Sequence, residues 1–130
     1  MMRALVLGTL VGVAVMTMGA AAQRGFTFPP VTAAEKVAAN LYMIPGQGGN
    51  TAAFVTAGGV VLVDTKLANN GQAILDQVKA VTDKPITHII NTHTHGDHTG
   101  SNDFFPASVE IVTHENTATN MKNGPVWVTA

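Results

Sequence analysis

The stretch "IINTHTHGDHTG", Ile89–Gly100, decides how this sequence is interpreted. It begins as an apolar run of strand length and then places His93, His95, Asp97 and His98 within six positions. The chain has only five histidines among its 130 residues, so this crowding is its main chemical signal. The cluster follows the end of a predicted strand, which is where ligands bind in α/β sheets. The sequence therefore predicts a ligand site at 93–98.

The spacing within the cluster suits metal ions. Side chains two positions apart in an extended segment point the same way, so His93 and His95 can reach one ion. Asp97 and His98 are adjacent and point differently, which suits a second ion. Imidazole and carboxylate without thiolate favour zinc, iron or manganese, with zinc the default at an open hydrolytic site. Such an ion makes water nucleophilic near neutral pH, and Asp97 could both bind metal and orient that water.

Two other interpretations of the cluster remain open. Histidines after a strand can be ordinary polar surface or hydrogen-bonded core residues, and a cluster can bind metal without catalysing anything. Four ligand-type side chains within six positions favour a metal site over polar surface.

The sequence around the cluster predicts an α/β fold. Three short β-type segments, at 37–44, 50–56 and 60–64, are separated by glycine-containing turns and predict an antiparallel meander. A helix should start near Asn70 and end before Pro85, because apolar residues then fall at helical spacing: Ile74, Leu75, Val78 and Val81. A strand at 86–91 completes a βαβ unit with at least one parallel pair. A strand at 108–113, a short helix at 114–122 and one further strand near the C-terminus should follow.

The motif H-x-H-x-D-H after an apolar strand resembles the signature of the metallo-β-lactamase fold superfamily. The segment "NTAAFVTAGGVVLVDT", residues 50–65, resembles that family's N-terminal hairpin, which ends in a strand-terminal aspartate, here Asp64. The resemblance covers residues 37–121. It implies the N-terminal half of an αβ/βα sandwich, a β-meander followed by βαβ. The family's third histidine, bridging aspartate and last histidine lie further downstream, and His114 follows the motif too closely to match the third histidine.

The resemblance also implies roles for the site residues. His93 and His95 bind a first metal ion, Asp97 and His98 bind a second, and two zinc ions are expected in the complete fold. Asp64 either braces the metal ligands or caps the following loop, and both interpretations stay open. The implied reaction is attack of activated water on the carbonyl of a β-lactam, thioester or lactone. The alternative is a catalytically incomplete fragment, or a metal-binding module that needs a second half or chain.

The N-terminal residues predict export. Residues 1–22 combine a basic start, an uncharged apolar run and an A-x-A motif, the order typical of a cleaved secretory signal. An uncleaved membrane anchor is the other interpretation, because the run approaches the roughly 20 residues that span a bilayer. We expect cleavage after Ala22, a linker at 23–36 and a partial domain at 37–130. The protein is then periplasmic or secreted, without stable membrane association after cleavage.

The composition limits the classes of partner that this protein is expected to bind. The formal net charge is −1 and no run of lysine or arginine occurs, which argues against nucleic-acid binding. The chain has no cysteine, so disulfides and thiolate ligands are excluded. We expect a small-molecule substrate. Half of a sandwich would also expose an apolar sheet face, which predicts self-association.

Overall fold

The computed structural model describes residues 27–123 and contains a six-stranded sheet whose strands lie side by side in chain order. The strands are β1 Glu35–Ala38, β2 Leu41–Ile44, β3 Thr51–Val55, β4 Val60–Val63, β5 Ile86–Asn91 and β6 Glu110–Thr113. The helices are α1 Gly71–Lys79, α2 Gly96–Thr99 and α3 Glu115–Asn123, with a 3₁₀ turn at Asn102–Phe104.

The sheet is mixed. Strands β1 to β4 pair antiparallel as a meander, whereas β5 is parallel to both β4 and β6. This confirms the predicted α/β class, with the meander leading into a βαβ unit. The prediction of a single strand over 37–44 is wrong, because the chain turns back after Ala38, which pairs with Leu41. Asn40 stabilises that turn, since its carbonyl accepts from the Val55 amide at 2.8 Å.

Helix α1 crosses over between β4 and β5 as predicted. Ile74 and Val78 are buried, and the Ile74 amide donates to the Asn70 carbonyl at 3.0 Å. The Asn70 side chain does not cap the helix but donates to the carbonyls of Leu67 and Ala68. The buried core lies between α1 and one face of the sheet, and its members are Ile44, Ala53, Val60, Leu62, Ile74, Val78, Ile89 and Val109.

The opposite face of the sheet is less covered. Directly paired residues share a face, and on this one Val63 lies beside Ile90, which lies beside Val112. The exposed fractions are 39% for Ile90, 44% for Val112 and 42% for Phe54, on the same face further along the sheet. Within residues 27–123 this face therefore presents an apolar surface, which we call the outer face.

The segment that leads into β1 contacts the domain. The Gln47 amide donates to the Pro29 carbonyl at 2.8 Å, and the Thr32 amide donates to the Pro45 carbonyl at 3.2 Å. Val31 packs against the core. This part of the predicted linker thus lies on the domain, and β1 begins inside it. The predicted signal, residues 1–22, and the predicted C-terminal strand lie outside the described residues. No helix within 27–123 is long and apolar enough to cross a membrane.

Candidate metal centre

The sheet topology brings two distant segments to one edge. Because β4 and β5 are parallel neighbours, their carboxyl ends meet, so Asp64 after β4 lies beside Thr92 after β5. The chain then bends through His93 and His95 into α2. The His95 carbonyl accepts the His98 amide at 3.0 Å, so Asp97 and His98 occupy the first turn of this short helix.

The structure brings the three histidines of the motif together. The ring centroids of His93 and His98 are 4.1 Å apart, and those of His93 and His95 are 4.7 Å apart. Oδ2 of Asp97 lies 3.4 Å from Nε2 of His98. All four residues of the predicted cluster thus lie at the same corner of the sheet.

Asp64 is the buried carboxylate behind this corner. Its side chain accepts the Thr92 amide at 2.9 Å, the Thr92 hydroxyl at 2.8 Å and Nδ1–H of His98 at 2.7 Å. The residue is only 5% exposed, and its backbone is left-handed, with φ of 62°, which aspartate tolerates better than most residues. Asp64 therefore orients His98, with Nε2 of that ring directed at Asp97.

Thr92 extends the same arrangement to His93. The single hydroxyl proton of Thr92 is donated to Asp64, so its oxygen can only accept from the His93 ring, whose Nδ1 lies at 2.9 Å. In the neutral ring, Nε2 of His93 then carries no proton and can bind a metal. A carboxylate or hydroxyl behind a metal-binding histidine fixes its tautomer in this way. Sequence reasoning missed Thr92, and its only signal was a hydroxyl between the strand and the first histidine.

A buried polar network supports the backbone of α2. The His98 carbonyl accepts the Thr65 amide at 2.7 Å and the Asn91 side chain at 3.3 Å. Asn102 accepts from the Thr65 hydroxyl at 2.7 Å and donates to the Asn91 side chain at 2.6 Å. These residues were not predicted, because their partners are far away in the sequence. The network ties the segments after β4, β5 and α2 into one unit.

The turn predicted at 45–49 is confirmed as the connection of the β2–β3 hairpin, and we call residues 45–50 the glycine loop. It lies directly against the cluster. A methyl group added at Gly48 would lie 2.8 Å from Cβ of Asp97. One added at Gly49 would lie 2.8 Å from the Asp97 carbonyl oxygen and 3.4 Å from Cε1 of His98. Glycine is required at these positions because the loop backbone touches the candidate ligands.

The other two histidines have different surroundings. His88 lies near the start of β5 on the outer face, with Nε2 3.5 Å from a carboxylate oxygen of Glu110. His114 is exposed and accepts the Asn116 amide at 3.2 Å where α3 begins. Neither is in the predicted ligand set, and their partners, Thr87, Glu110 and Asn116, lie outside the 93–98 cluster.

The donor set suits a metal ion in part. Two donors that bind one tetrahedral zinc ion at about 2.1 Å lie about 3.4 Å from each other. Nε2 of His98 and Oδ2 of Asp97 have that separation. Within residues 27–123, however, no group of three or more histidine, aspartate or glutamate side chains converges on a single point. The chemistry fits zinc, and further donors are needed to complete its coordination.

Comparison with known protein families identifies the family of this chain. The model of the metallo-beta-lactamase superfamily matches residues 44–127, more than half of the chain. This chain belongs to the metallo-β-lactamase superfamily. The match includes β3 to β6 and the whole 93–98 cluster, so the resemblance drawn from the motif is confirmed.

Solved structures of the superfamily share the fold. A B3 metallo-β-lactamase with an active-site glutamic acid has a TM-score of 0.65 and 23% identity over 78% of this chain and 44% of its own. BJP-1, a subclass B3 enzyme of Bradyrhizobium japonicum, has a TM-score of 0.63 and 25% identity over 76% of this chain and 38% of its own. The chain therefore spans less than half the length of these two lactamases.

The fold also occurs in proteins with a different activity. The inverting sec-alkylsulfatase Pisa1 of Pseudomonas sp. has a TM-score of 0.51 and 28% identity, over 55% of this chain and 12% of its own. No curated protein sequence matches the chain.

Proposed function

We propose that this chain carries the first part of the active site of an exported, metal-dependent hydrolase that directs water to a carbonyl. The observation that carries the proposal is the buried carboxylate of Asp64, which holds His98 at 2.7 Å beside the other two imidazoles. The lactamase neighbours support a β-lactam as substrate, and the motif resemblance adds a thioester or a lactone. Because a sulfatase shares part of the fold, the proposal names a class of reaction and not one substrate.

The proposed roles follow the geometry of the cluster. His93 and His95 hold a first ion, and Asp97 and His98 hold a second, with zinc as the ion and iron or manganese as the other candidates. Bound zinc supplies Lewis acidity and makes water nucleophilic at neutral pH. The Asp97 carboxylate orients that water. Asp64 keeps the His98 ring in place.

The proposal of export has its own basis in the sequence. It rests on the sequence pattern of residues 1–22, which lie outside the described residues. We propose that the mature protein acts in the periplasm or outside the cell on a small molecule.

The second candidate is a metal-binding module that is inactive without a second half or chain. The observation that favours it is the number of donors. The cluster offers two side chains to each ion, whereas catalytic zinc has three protein ligands. Under this proposal the isolated chain binds metal but hydrolyses little, and its size changes when zinc is added. Robust metal-dependent turnover by the isolated chain would contradict it.

Zinc binding to the purified chain tests the main proposal. We expect the wild type to bind zinc and His95→Ala to bind it about 10- to 100-fold more weakly, because the variant lacks one of the proposed donors. Isothermal titration and metal quantitation after gel filtration measure this. His88→Ala is the matched control, since that ring lies outside the cluster and should leave zinc affinity unchanged. Equal, near-zero zinc in the wild type and in His95→Ala would refute the proposal.

A further inference from the structure

Lys66 is a buried cation that the proposed chemistry does not use. Its side chain is 0% exposed, and Nζ lies 2.6 Å from the Ile44 carbonyl oxygen, 3.0 Å from that of Gly46 and 2.8 Å from that of Gly49. An ammonium group has three donors, so each proton has one acceptor. In the described part of the chain, all of its hydrogen-bond partners are backbone carbonyls. The group is thus fully satisfied without a carboxylate.

The three carbonyls come from the glycine loop and the residue before it. The loop curls because Gly46, Gln47 and Gly48 all have positive φ, of 102°, 52° and 91°. This curl directs its carbonyl oxygens at a single point inside the hairpin. Without a cation there, the carbonyl oxygens of Ile44, Gly46 and Gly49 would crowd together with no shared donor, an arrangement that proteins avoid. Lys66 therefore supplies the donors that this shape of the loop requires.

The far side of the same loop touches the candidate metal ligands. Gly48 and Gly49 leave no room for a side chain against Asp97 and His98, as described above. Any displacement of the loop away from Lys66 would therefore alter the packing around these two residues.

The backbone of Lys66 also holds the helical turn that carries those ligands. Its carbonyl accepts the Gly100 amide at 2.9 Å, just after α2. The neighbouring Leu67 amide donates to the Gln47 carbonyl at 3.3 Å. One residue thus contacts the loop through its side chain and α2 through its backbone.

We propose that Lys66 is a positioning residue whose buried ammonium clamps the glycine loop against Asp97 and His98 and so presets two of the metal ligands. The identity of these ligands rests on the proposed function, whereas the clamp itself does not need a metal. Burial lowers the pKa of Lys66 to about 8, so the group is still mostly protonated at neutral pH and keeps its three donors.

The test compares Lys66→Met with Lys84→Met. Methionine keeps an unbranched side chain, one atom shorter than that of lysine, but removes the three donors. Lys84 is the matched control, because it is an exposed lysine that donates to the Thr56 carbonyl, at a turn away from the cluster. Two properties are measured: amide hydrogen exchange of residues 46–50 in the metal-free protein, and cobalt(II) affinity with the visible spectrum of the bound ion.

In Lys66→Met we expect exchange in the loop to speed up at least about tenfold and cobalt affinity to fall about 10- to 100-fold, the range for residues that orient metal ligands. A changed cobalt spectrum would report altered ligand geometry. Lys84→Met should match the wild type in every measurement. Exchange and affinity that are both unchanged in Lys66→Met would overturn the proposal.

Chemical rescue separates positioning from simple loss of stability. The chain has no cysteine, so Lys66→Cys introduces a unique thiol. Alkylation with 2-bromoethylamine in denaturant, followed by refolding, restores an ammonium group at nearly the same distance. We expect the alkylated protein to recover slow exchange and cobalt affinity, and failure to recover either after refolding would count against the clamp.

Gly49→Ala keeps the inference testable if Lys66→Met does not fold. The added methyl group pushes the loop off Asp97 while Lys66 stays intact, and cobalt affinity should fall as it does without the clamp. Unchanged affinity in a folded Gly49→Ala protein would overturn the proposal. A wild type that binds no metal would instead refute the proposed function, and loop exchange would still decide whether the clamp exists.

Discussion

Asp64 shows how much of the candidate site depends on one side chain. It orients His98 directly and His93 through Thr92, so one buried carboxylate controls two of the three clustered rings. A buried acceptor of this kind is costly to replace, because each donor it satisfies would otherwise be left unpaired.

Asp64→Asn tests this dependence. The amide has one acceptor oxygen instead of two and carries no charge, so it cannot receive all three donors. We expect zinc affinity to fall about 10- to 100-fold and the free energy of unfolding to fall by about 1–3 kcal/mol. Zinc titration and urea unfolding measure these changes. Asp76→Asn, at an exposed position on α1, should change neither, and wild-type zinc affinity in Asp64→Asn would argue against the bracing role.

The site residues that were predicted from the sequence belong to local patterns, whereas those that were missed act on residues far away in the chain. The cluster at 93–98 is a local pattern, and Asp64 stands at the end of a recognisable strand. Lys66 acts on Ile44, 22 positions earlier, and a lysine in a polar stretch is ordinarily exposed. Its role is visible only once the hairpin and the segment after β4 have been brought together.

At the scale of elements, the contact between α1 and the 3₁₀ turn is unusually close. A methyl group added at Gly71, the first residue of α1, would overlap the side chain of Phe104. Glycine is normally the weaker helix former, and replacing it by alanine stabilises an unhindered helix by up to about 1 kcal/mol. Here the close approach of the aromatic ring decides the residue type.

We therefore expect Gly71→Ala to destabilise the protein by about 1–3 kcal/mol, the cost of overpacking. Urea unfolding monitored by circular dichroism measures the change. Gly58→Ala is the control, because no atom lies within 4 Å of a methyl group there, and its effect should stay within about 0.5 kcal/mol. A stabilised Gly71→Ala variant would mean that Phe104 moves away freely.

Element types were predictable where periodicity was strong. The helical spacing of Ile74 and Val78 and the apolar run before the cluster predicted α1 and β5. The division of 37–44 into β1 and β2 was missed because the turn between them, at Ala39 and Asn40, has neither glycine nor proline. Its position is determined by pairing with β3, which a local pattern does not contain.

At the scale of the whole molecule, the outer face is the less covered side of the sheet within residues 27–123. Its apolar side chains include Phe54, Ile90 and Val112, all more than a third exposed within the described structure. An apolar patch of this kind favours contact with another surface. We predict that the isolated chain self-associates through this face.

Substitutions on the two faces of the sheet test whether the chain self-associates through the outer face. We expect Ile90→Thr with Val112→Thr to reduce the association constant at least about tenfold, because about 1–2 kcal/mol of apolar burial is lost at each position. Analytical ultracentrifugation measures it. Ile111→Thr is the matched control, since Ile111 is equally exposed at 44% but lies on the opposite face. A wild type that stays monomeric at all concentrations would contradict the prediction.

The fold class could be read from the chain because hairpins and one crossover follow from local patterns. The arrangement of the candidate ligands could not be predicted, since it depends on contacts such as that between Asp64 and His98, 34 positions apart. The motif thus identifies the candidate ligands, and the sheet topology supplies what orients them.

The local character of the motif has a thermodynamic consequence. All four proposed ligands lie within six positions, so an unfolded chain keeps them close together and retains some affinity for zinc. A ligand that binds both states stabilises the native state only by the difference between the two affinities. The rise in melting temperature with zinc will therefore understate native affinity. The difference between the two affinities is what the native fold adds to the local motif, through contacts such as those of Asp64 and Thr92.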